Sequence, residues 1–251
     1  MSYVVIIPAR YASNRLPGKP LLDIAGKTML QRVHEQASRS GASAVHIATD
    51  DTRIAECARG FGASVCMTGS GHQSGTDRIE EATRQLGLPD DAVVVNVQGD
   101  EPMIPPGLID GVAQDLMQHP DAGISSFYES LDSMADAQNP NIVKVVMDAQ
   151  GYALYFSRSL LPWRDSGTEL LQAPVYRHVG IYAYRVGTLK RFIEWPQSPL
   201  ERSERLEQLR AMSNGVRIHM LQTSEEVPGG IDTLEDLERL RKQLREKEGS
   251  K

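Results

Sequence analysis

An apolar run followed at once by a basic loop is the feature that most constrains the fold. Residues 4–7 are a continuous run of valine and isoleucine, which is typical of a strand buried on both faces of a parallel sheet. Pro8 cannot donate to a sheet ladder and marks the strand's end. The loop that follows contains Arg10, Arg15 and Lys19. It lies at the carboxyl end of the strand, where open α/β sheets bind ligands. Because guanidinium and ammonium groups bind phosphate oxygens, the pattern predicts a polyphosphate site.

This loop is not a P-loop, although it contains a Gly-Lys pair. The position five residues before Gly18 is Ser13, and Pro20 follows the lysine. A P-loop requires glycine at the first of these positions and serine or threonine at the second. The sequence therefore argues against a P-loop kinase or GTPase, while an ordinary solvated loop remains an alternative.

Length and charge narrow the class of protein. The 251 residues suit one large α/β domain, or a domain with a sizeable insertion. The formal net charge of −6 argues against nucleic acid as a partner. Cys57 and Cys66 lack metal-ligand spacing, which favours buried thiols. Without a signal-peptide pattern or an apolar run approaching about 20 residues, we expect a cytoplasmic protein with no membrane partner.

The first third of the chain alternates strands and helices. Residues 44–48 and 64–67 read as strands, and residues 52–61 as a helix. Thr28 and Gln31 have the spacing of a capping box, which predicts a helix that begins there and ends near residue 40. This βαβαβ order predicts a parallel, doubly wound sheet with right-handed crossovers.

A glycine-rich loop covers residues 68–78, after the third predicted strand. Its last glycine gap is one residue longer than that of a dinucleotide fingerprint, so a nicotinamide oxidoreductase stays a weak alternative. Glycine still lets backbone approach a ligand closely. Thr76 could cap the following helix, and Arg78 adds a cation. The loop is either a ligand contact or a flexible connection.

Two acids follow the predicted active edge of the sheet. Residues 92–97 form the most apolar strand, and Asp100 comes directly after it. Asp232 follows the Pro/Gly-rich residues 227–231 and precedes an amphipathic helix. Mg²⁺ often bridges one or two carboxylates to substrate phosphates. Each acid is therefore either a Mg²⁺ ligand or a local cap.

The character of the sequence changes near residue 139. Short β-type runs over residues 140–185 predict an antiparallel insertion. His178 on an apolar strand is either a core residue or a ligand contact. Residues 198–212 are predicted as one helix, and Glu207 and Gln208 interrupt its apolar side.

Seven segments, taken together, resemble one enzyme family. They are PARYASNRLPGKPL, HQSGTDR, NVQGDEP, YFSR, RHVGIYAY, LEQLR and GIDTLEDL, and they span nearly the whole chain. In this order they are similar to the CMP-Kdo synthetases, the 3-deoxy-manno-octulosonate (Kdo) cytidylyltransferases. The resemblance implies a cytoplasmic, Mg²⁺-dependent homodimer that activates Kdo for lipopolysaccharide biosynthesis in Gram-negative bacteria.

The resemblance also implies roles for individual residues. The nucleotide-binding positions are Arg10, Ser13, Arg15, Lys19, Ser74, Thr76, Asp77 and Arg78. The sugar-binding positions are Gln98, Arg158, Arg164, His178, Tyr182, Glu207 and Gln208. Asp100 and Asp232 match the Mg²⁺ ligands, and with Lys19 and Arg10 they form the expected catalytic set. Asn14 stands where the family is expected to have serine or threonine.

The implied fold is a doubly wound, mostly parallel, Rossmann-like nucleotidyltransferase sheet. Residues 1–139 and 186–251 would form the nucleotide-binding domain, and residues 140–185 a small mixed or antiparallel insertion for sugar binding and dimerisation. The implied reaction is CTP + Kdo → CMP-Kdo + pyrophosphate, in which the anomeric hydroxyl attacks the α-phosphorus. Arg164, His178 or Gln98 would bind the Kdo carboxylate.

Besides the nicotinamide oxidoreductase, two alternatives stay open at this stage. A cytidylyltransferase for a sialic acid or an amino-substituted Kdo would use the same nucleotide loops with a different insertion. A non-catalytic nucleotide-binding protein would keep the loops without turnover, but binding alone does not require a pair of metal carboxylates.

Overall fold

The computed structural model describes residues 2–12, 16–165, 174–223, 225, 227 and 229–249. The strands are β1 (Tyr3–Ala9), β2 (Asp23–Ile24), β3 (Lys27–Thr28), β4 (Ala44–Thr49), β5 (Ser64–Met67), β6 (Val93–Asn96), β7 (Ile124–Leu131), β8 (Lys144–Met147), β9 (Ala153–Ser157), β10 (Val175–Arg185) and β11 (Ile218–Gln222). The helices are α1 (Met29–Ala37), α2 (Thr52–Gly60), α3 (Gly75–Gln85), α4 (Pro106–Gln118), α5 (Met134–Gln138), α6 (Val186–Phe192), α7 (Pro199–Glu204), α8 (Gln208–Ser213) and α9 (Leu234–Gly249), with a 3₁₀ turn at Lys19–Leu21. In this described part, no helix combines the length and apolar character needed to cross a bilayer.

The chain forms two compact units. The first contains residues 1–89, 94–110 and 227–251, and the second contains residues 90–93 and 111–226. The predicted insertion, residues 140–185, lies within the second unit, which also includes β7, β11 and most of α4.

A parallel sheet of order β6-β1-β4-β5 forms the centre of the first unit. β1 pairs in parallel with β4, and β4 with β5. The chain therefore builds outward from β1 and then returns to place β6 on the other side of β1. This reversal creates a switch point between β1 and β6, where open α/β sheets bind ligands. The predicted parallel α/β architecture is confirmed.

The residues of β1 explain its central place. Val5, Ile6 and Ile7 are fully buried, as a strand covered on both faces requires. Burying each such side chain stabilises the fold by roughly 1.5–3 kcal/mol. The strand continues one residue beyond the end predicted at Pro8, because Pro8 is in register with Ala48 and Ala9 with Thr49.

Polar caps set the helix starts of this unit. The Thr28 hydroxyl accepts a hydrogen bond of 3.2 Å from the Gln31 amide and begins α1, as predicted. α1 ends at Ala37, a few residues before the predicted end. Asp51 caps α2 in the same way. Each cap of this type contributes about 1 kcal/mol.

The second unit is built on a mixed sheet. β10 runs antiparallel to β7, while β11 runs parallel to β7. β8 pairs antiparallel with both β10 and β9. The antiparallel character predicted for residues 140–185 is confirmed in these three strands.

The prediction of one helix over residues 198–212 is wrong. Arg205 adopts a left-handed backbone conformation with φ of 56°, which ends α7 and lets α8 begin at Gln208. A buried ion pair then joins the two helices, because Arg210 donates to both carboxylate oxygens of Glu201 at 2.6 and 2.9 Å. The apolar spacing of leucines gave no sign of this break.

An Asp-His-His cluster joins α4 to β11. The Asp115 carboxylate lies 2.8 Å from Nδ1 of His219 and also accepts from Ser125. The His119 and His219 rings stack with centroids 3.5 Å apart and planes 17° from parallel. Although ligand atoms of the three residues lie within 4.8 Å of one another, lone pairs in two parallel planes do not converge on one ion. We interpret the cluster as a structural network.

A buried lysine fastens the loops at one end of β8. The Lys144 side chain is fully buried, and its ammonium donates to the carbonyls of Asn139, Ile142 and Arg158 at 2.9, 2.6 and 2.6 Å. Burial lowers the pKa of Lys144. The cost of burying this charge is offset because its donors are satisfied.

We expect Lys144→Met to lower the free energy of unfolding by about 2–4 kcal/mol, because three main-chain carbonyls lose the donor that they share. Chemical denaturation measures the change. Lys190→Met is the matched control: Lys190 pairs with Asp90 on the surface of the same unit, and losing such a pair costs less than about 1 kcal/mol. Equal effects of the two substitutions would contradict the anchoring role.

Candidate active site

A cleft lies at the carboxyl ends of β1 and β6, at the switch point of the first unit. The residues lining it are Pro8, Ala9, Arg10, Lys19, Pro20, Gln98, Gly99, Asp100 and Asp232. A Cβ on Gly99 would stand 2.9 Å from the Pro8 carbonyl oxygen, so only glycine lets the two chain segments approach this closely. Arg10 is exposed at the cleft.

A single ammonium joins two carboxylates in this cleft. Nζ of Lys19 lies 2.6 Å from Oδ2 of Asp100 and 3.0 Å from Oδ1 of Asp232. The lysine side chain is only 10% exposed, against 35% and 45% for the two aspartates. The structure thus brings together three of the four residues of the predicted catalytic set through direct ion pairs, and Arg10 lines the same cleft.

The backbone around Lys19 points its side chain into the cleft. Gly18 has φ of 68°, a left-handed conformation that a larger residue adopts only with strain. The Gly18 amide donates to the Tyr11 carbonyl at 3.1 Å, and the Arg53 guanidinium lies 3.4 Å from the centre of the Tyr11 ring. Sequence reasoning missed Tyr11 and Arg53, since nothing in the spacing marks a contact across forty residues.

The start of α9 carries a capping box one residue after Asp232. Thr233 and Asp236 exchange hydrogen bonds at the start of α9, because each side chain accepts from the other's amide at 3.2 and 3.0 Å. The hydrogen bond from Thr233, together with Arg239, lowers the pKa of Asp236 to about 2. Thr233 and Asp236 therefore cap α9.

Two contacts fix the position of Asp232. The Ile231 amide donates to the Asp100 carbonyl at 2.9 Å, which ties the two acidic segments together. The Ile231 side chain is buried in an apolar cluster with Ile24 and Leu237. Burial of the neighbouring residue therefore holds the carboxylate beside Lys19.

Glu101, which neighbours Asp100, differs from it in charge. Burial, and then the Asp100 carboxylate, raise the pKa of Glu101 to about 8. Its carboxyl group is therefore mostly protonated at pH 7 and is a poor ligand for a cation. Among the described residues that line the cleft, the carboxylates are those of Asp100 and Asp232.

The second predicted nucleotide loop lies beside the same cleft. A Cβ on Gly75 would stand 3.4 Å from the Pro8 ring and 3.8 Å from the Gln98 amide. Ser74 and Asp77 form a capping box at the start of α3. Arg78 is 4% exposed and lies 3.1 Å from Asp50.

Thr76 is also buried at this helix start. Ser74, Thr76, Asp77 and Arg78 thus shape the loop, and their direct contact with nucleotide stays a prediction. Ser13 and Arg15, predicted in the first loop together with Asn14, lie outside the described residues.

Three predicted sugar-binding residues meet at a small cavity of the second unit. Tyr182, Glu207 and Gln208 line a space of about 30 Å³ together with Ile124, Tyr184 and Phe192. Among the described residues, the buried amide nitrogen of Gln208 has no hydrogen-bond acceptor. A buried donor of this kind is costly unless a ligand or water accepts from it. The break between α7 and α8 places Glu207 and Gln208 here.

His178 lies next to Tyr182, with ring centroids 5.3 Å apart. Burial, and then the charge of Arg177, lower the pKa of His178 to about 3, so the ring is neutral at pH 7. Its Nε2 lies 2.9 Å from the Ser126 hydroxyl, which also lies 2.8 Å from the Ile181 carbonyl. Since the hydroxyl has one proton and the carbonyl accepts it, Nε2 donates and Nδ1 remains an acceptor.

The remaining sugar-side predictions differ in their surroundings. Gln98 belongs to the first unit, where its amide donates to Asn96 at 3.0 Å. Arg158 donates to the main-chain carbonyls of Glu204 and Pro140 at 2.8 and 3.0 Å, so it braces this region. Arg164 is half-buried. Contact of these three with a sugar stays a prediction.

Comparison with known proteins is consistent with this geometry. Residues 4–218 match the cytidylyltransferase family. A 3-deoxy-manno-octulosonate cytidylyltransferase from Pseudomonas syringae pv. syringae (strain B728a) is 56% identical over 249 residues, which is 97% of this chain and 98% of the relative. The protein of that name from Alcanivorax borkumensis is 51% identical over 97% of this chain and 99% of the relative.

Solved structures agree. That of CMP:2-keto-3-deoxy-manno-octonic acid synthetase complexed with CTP has a TM-score of 0.91 and 40% identity, over 98% of this chain and 100% of the other. A 4-diphosphocytidyl-2C-methyl-D-erythritol synthase has a TM-score of 0.64 at 14% identity, over 97% and 98%, and shares the fold alone. The chain therefore belongs to the cytidylyltransferase family and, within it, to the 3-deoxy-manno-octulosonate cytidylyltransferases.

Proposed function

We propose that this chain transfers the cytidylyl group of CTP to Kdo and releases pyrophosphate, as a step of lipopolysaccharide biosynthesis. The observation that carries the proposal is the Lys19 ammonium held between Asp100 and Asp232 at the sheet's switch point. A site that moves a nucleotidyl group needs cations for the phosphates and carboxylates for a metal ion, and both meet here.

Lys19 and Arg10 serve the phosphates of CTP. Both line the cleft at the carboxyl end of β1, and neither needs a change of charge to bind phosphate oxygens. Negative charge grows on the departing pyrophosphate during the transfer. Fixed cations close to that charge stabilise the transition state without reorganising. No covalent intermediate on the protein is required, so catalysis is positioning and charge stabilisation.

Asp100 and Asp232 fit the Mg²⁺ that the resemblance implies. They offer hard oxygen donors, and in this structure they already share one cation, the Lys19 ammonium. Bound there, Mg²⁺ would supply charge neutralisation at the phosphate and a lower pKa for the hydroxyl of Kdo. The protonated Glu101 adds no negative charge to this pair at pH 7.

The sugar acid is served by neutral groups of the second unit. A cavity of about 30 Å³ admits a group of water size, so we assign it one hydroxyl of Kdo, with the Gln208 amide as donor to its oxygen. His178 presents Nδ1 as an acceptor, which suits a hydroxyl rather than the carboxylate that the sequence had suggested. Because the His178 ring is neutral, it adds no positive charge that would repel another cation bound to the Kdo carboxylate.

We also propose that the protein acts as a homodimer in the cytoplasm, where CTP is available. The segment that the sequence assigned to dimerisation exposes Leu154 to 59% and Trp163 to 82%. Large apolar side chains at this exposure within one segment are typical of an interaction surface.

Pyrophosphate release tests the reaction. We expect release with CTP plus Kdo, and little with other nucleotides or with CTP plus a sialic acid or an amino-substituted Kdo. Asp100→Asn should lower kcat by about 100-fold or more, since loss of a metal ligand removes several kcal/mol of transition-state stabilisation. Release with another sugar acid would change the assigned substrate. If folded protein released no pyrophosphate in any mixture, that result would contradict catalysis.

Gln208→Leu tests the sugar cavity. It removes a buried amide but keeps the volume, so we expect KM for Kdo to rise about tenfold to 100-fold while CTP binding is unchanged. The unfolding free energy should stay level or rise, because an unsatisfied donor is removed. Gln197→Leu, at an exposed position of the same unit, is the control. Lower stability with an unaltered KM would instead indicate a structural role.

Leu154→Lys tests the dimer. We expect the molecular mass in light scattering to fall from that of two chains to that of one, because a charge would be buried in the interface. Leu234→Lys changes an equally exposed leucine, at 64%, in the first unit and should leave the dimer intact. A monomeric parent protein, or a dimer unaffected by Leu154→Lys, would rule out this surface.

A further inference from the structure

The ion pairs of Lys19 with Asp100 and Asp232 affect how the cleft binds a metal ion and a nucleotide. Nζ of Lys19 donates to one oxygen of Asp100 at 2.6 Å and to one of Asp232 at 3.0 Å. These are the same two carboxylates that fit a divalent cation. The proposed function relies on Lys19 as a phosphate ligand, yet here its ammonium is committed to the carboxylates.

A cation held by both aspartates would stand close to the ammonium. Magnesium sits about 2.1 Å from its oxygen ligands, and Nζ lies 2.6 Å from the Asp100 oxygen. Positive charges this close repel strongly in a partly buried site. With its side chain only 10% exposed, Lys19 has little access to solvent, so its ammonium needs other anionic oxygens before it can leave the carboxylates.

We propose that Lys19 is a built-in competitor of the divalent cation: in the nucleotide-free protein its ammonium occupies the Asp100–Asp232 pair and weakens metal binding. The inference rests on the proposed function, because it takes these carboxylates as the metal ligands. A triphosphate offers Lys19 other anionic oxygens and so frees the carboxylates. The lysine then couples nucleotide binding to metal binding, and the coupling acts equally in both directions.

This competing role is separate from phosphate binding, and the two roles predict different effects of removing Lys19 on metal affinity. If Lys19 served only as a phosphate ligand, its removal would leave nucleotide-free metal affinity unchanged. If it competes, its removal raises that affinity. The same substitution lowers CTP affinity in either case, so only the metal measurement distinguishes the two roles.

The experiment is titration of nucleotide-free full-length protein with Mn²⁺, following free Mn²⁺ by electron paramagnetic resonance. We expect Lys19→Met to bind Mn²⁺ about tenfold or more tightly than the parent, since like-charge repulsion is removed. Lys27→Met is the matched control: Lys27 pairs with Glu35 at 2.7 Å on the same unit, and its loss makes an equal change in net charge. Circular dichroism verifies that each variant is folded.

Adding Asp100→Asn to Lys19→Met should abolish the gain. Equal Mn²⁺ affinity in the parent, Lys19→Met and Lys27→Met would overturn the proposal, as would a gain that survives Asp100→Asn. Because no substrate is present, the result does not depend on whether Kdo is the acceptor. Failure of the pyrophosphate assay and failure of this proposal are therefore distinguishable.

Discussion

The Lys19 ammonium stands between the carboxylates of Asp100 and Asp232 and offsets the repulsion between them. Two unit charges 4 Å apart interact with about 4 kcal/mol at an effective dielectric near 20. The pairing is therefore as important for keeping the acidic segments in place as it is for chemistry. The surrounding backbone fixes the position from which each of the three side chains enters the cleft.

The three side chains belong to elements that are far apart in the chain. Lys19 arrives from the turn after β1, Asp100 from the end of β6, and Asp232 from the segment before α9. The absence of a side chain at Gly99 lets the β6 segment approach Pro8, and the buried Ile231 holds the last segment. A parallel sheet whose order reverses beside β1 is what places the first two strand ends next to each other.

The sequence predicted this first unit well, because its signals are local. Buried β-branched runs, a capping threonine and acids at strand ends each follow from a few neighbouring residues. The break between α7 and α8 was not predictable, since it depends on one left-handed arginine and a buried Glu201–Arg210 pair. The Tyr11–Arg53 contact and the bracing of Arg158 by Glu204 were also missed, because both depend on pairings between distant segments.

The two sets of candidate site residues differ in charge, and this difference bears on specificity. Lys19, Asp100 and Asp232 are charged, and the two aspartates are partly exposed, so the three suit phosphates and metal ions of any nucleotidyl transfer. Gln208 and His178 are neutral hydrogen-bonding groups in buried surroundings. Buried neutral groups discriminate strongly, since a substrate lacking the matching hydroxyl leaves them unpaired. Tolerance for a different sugar acid should therefore change through residues such as these, while the ion pairs around Lys19 stay as they are.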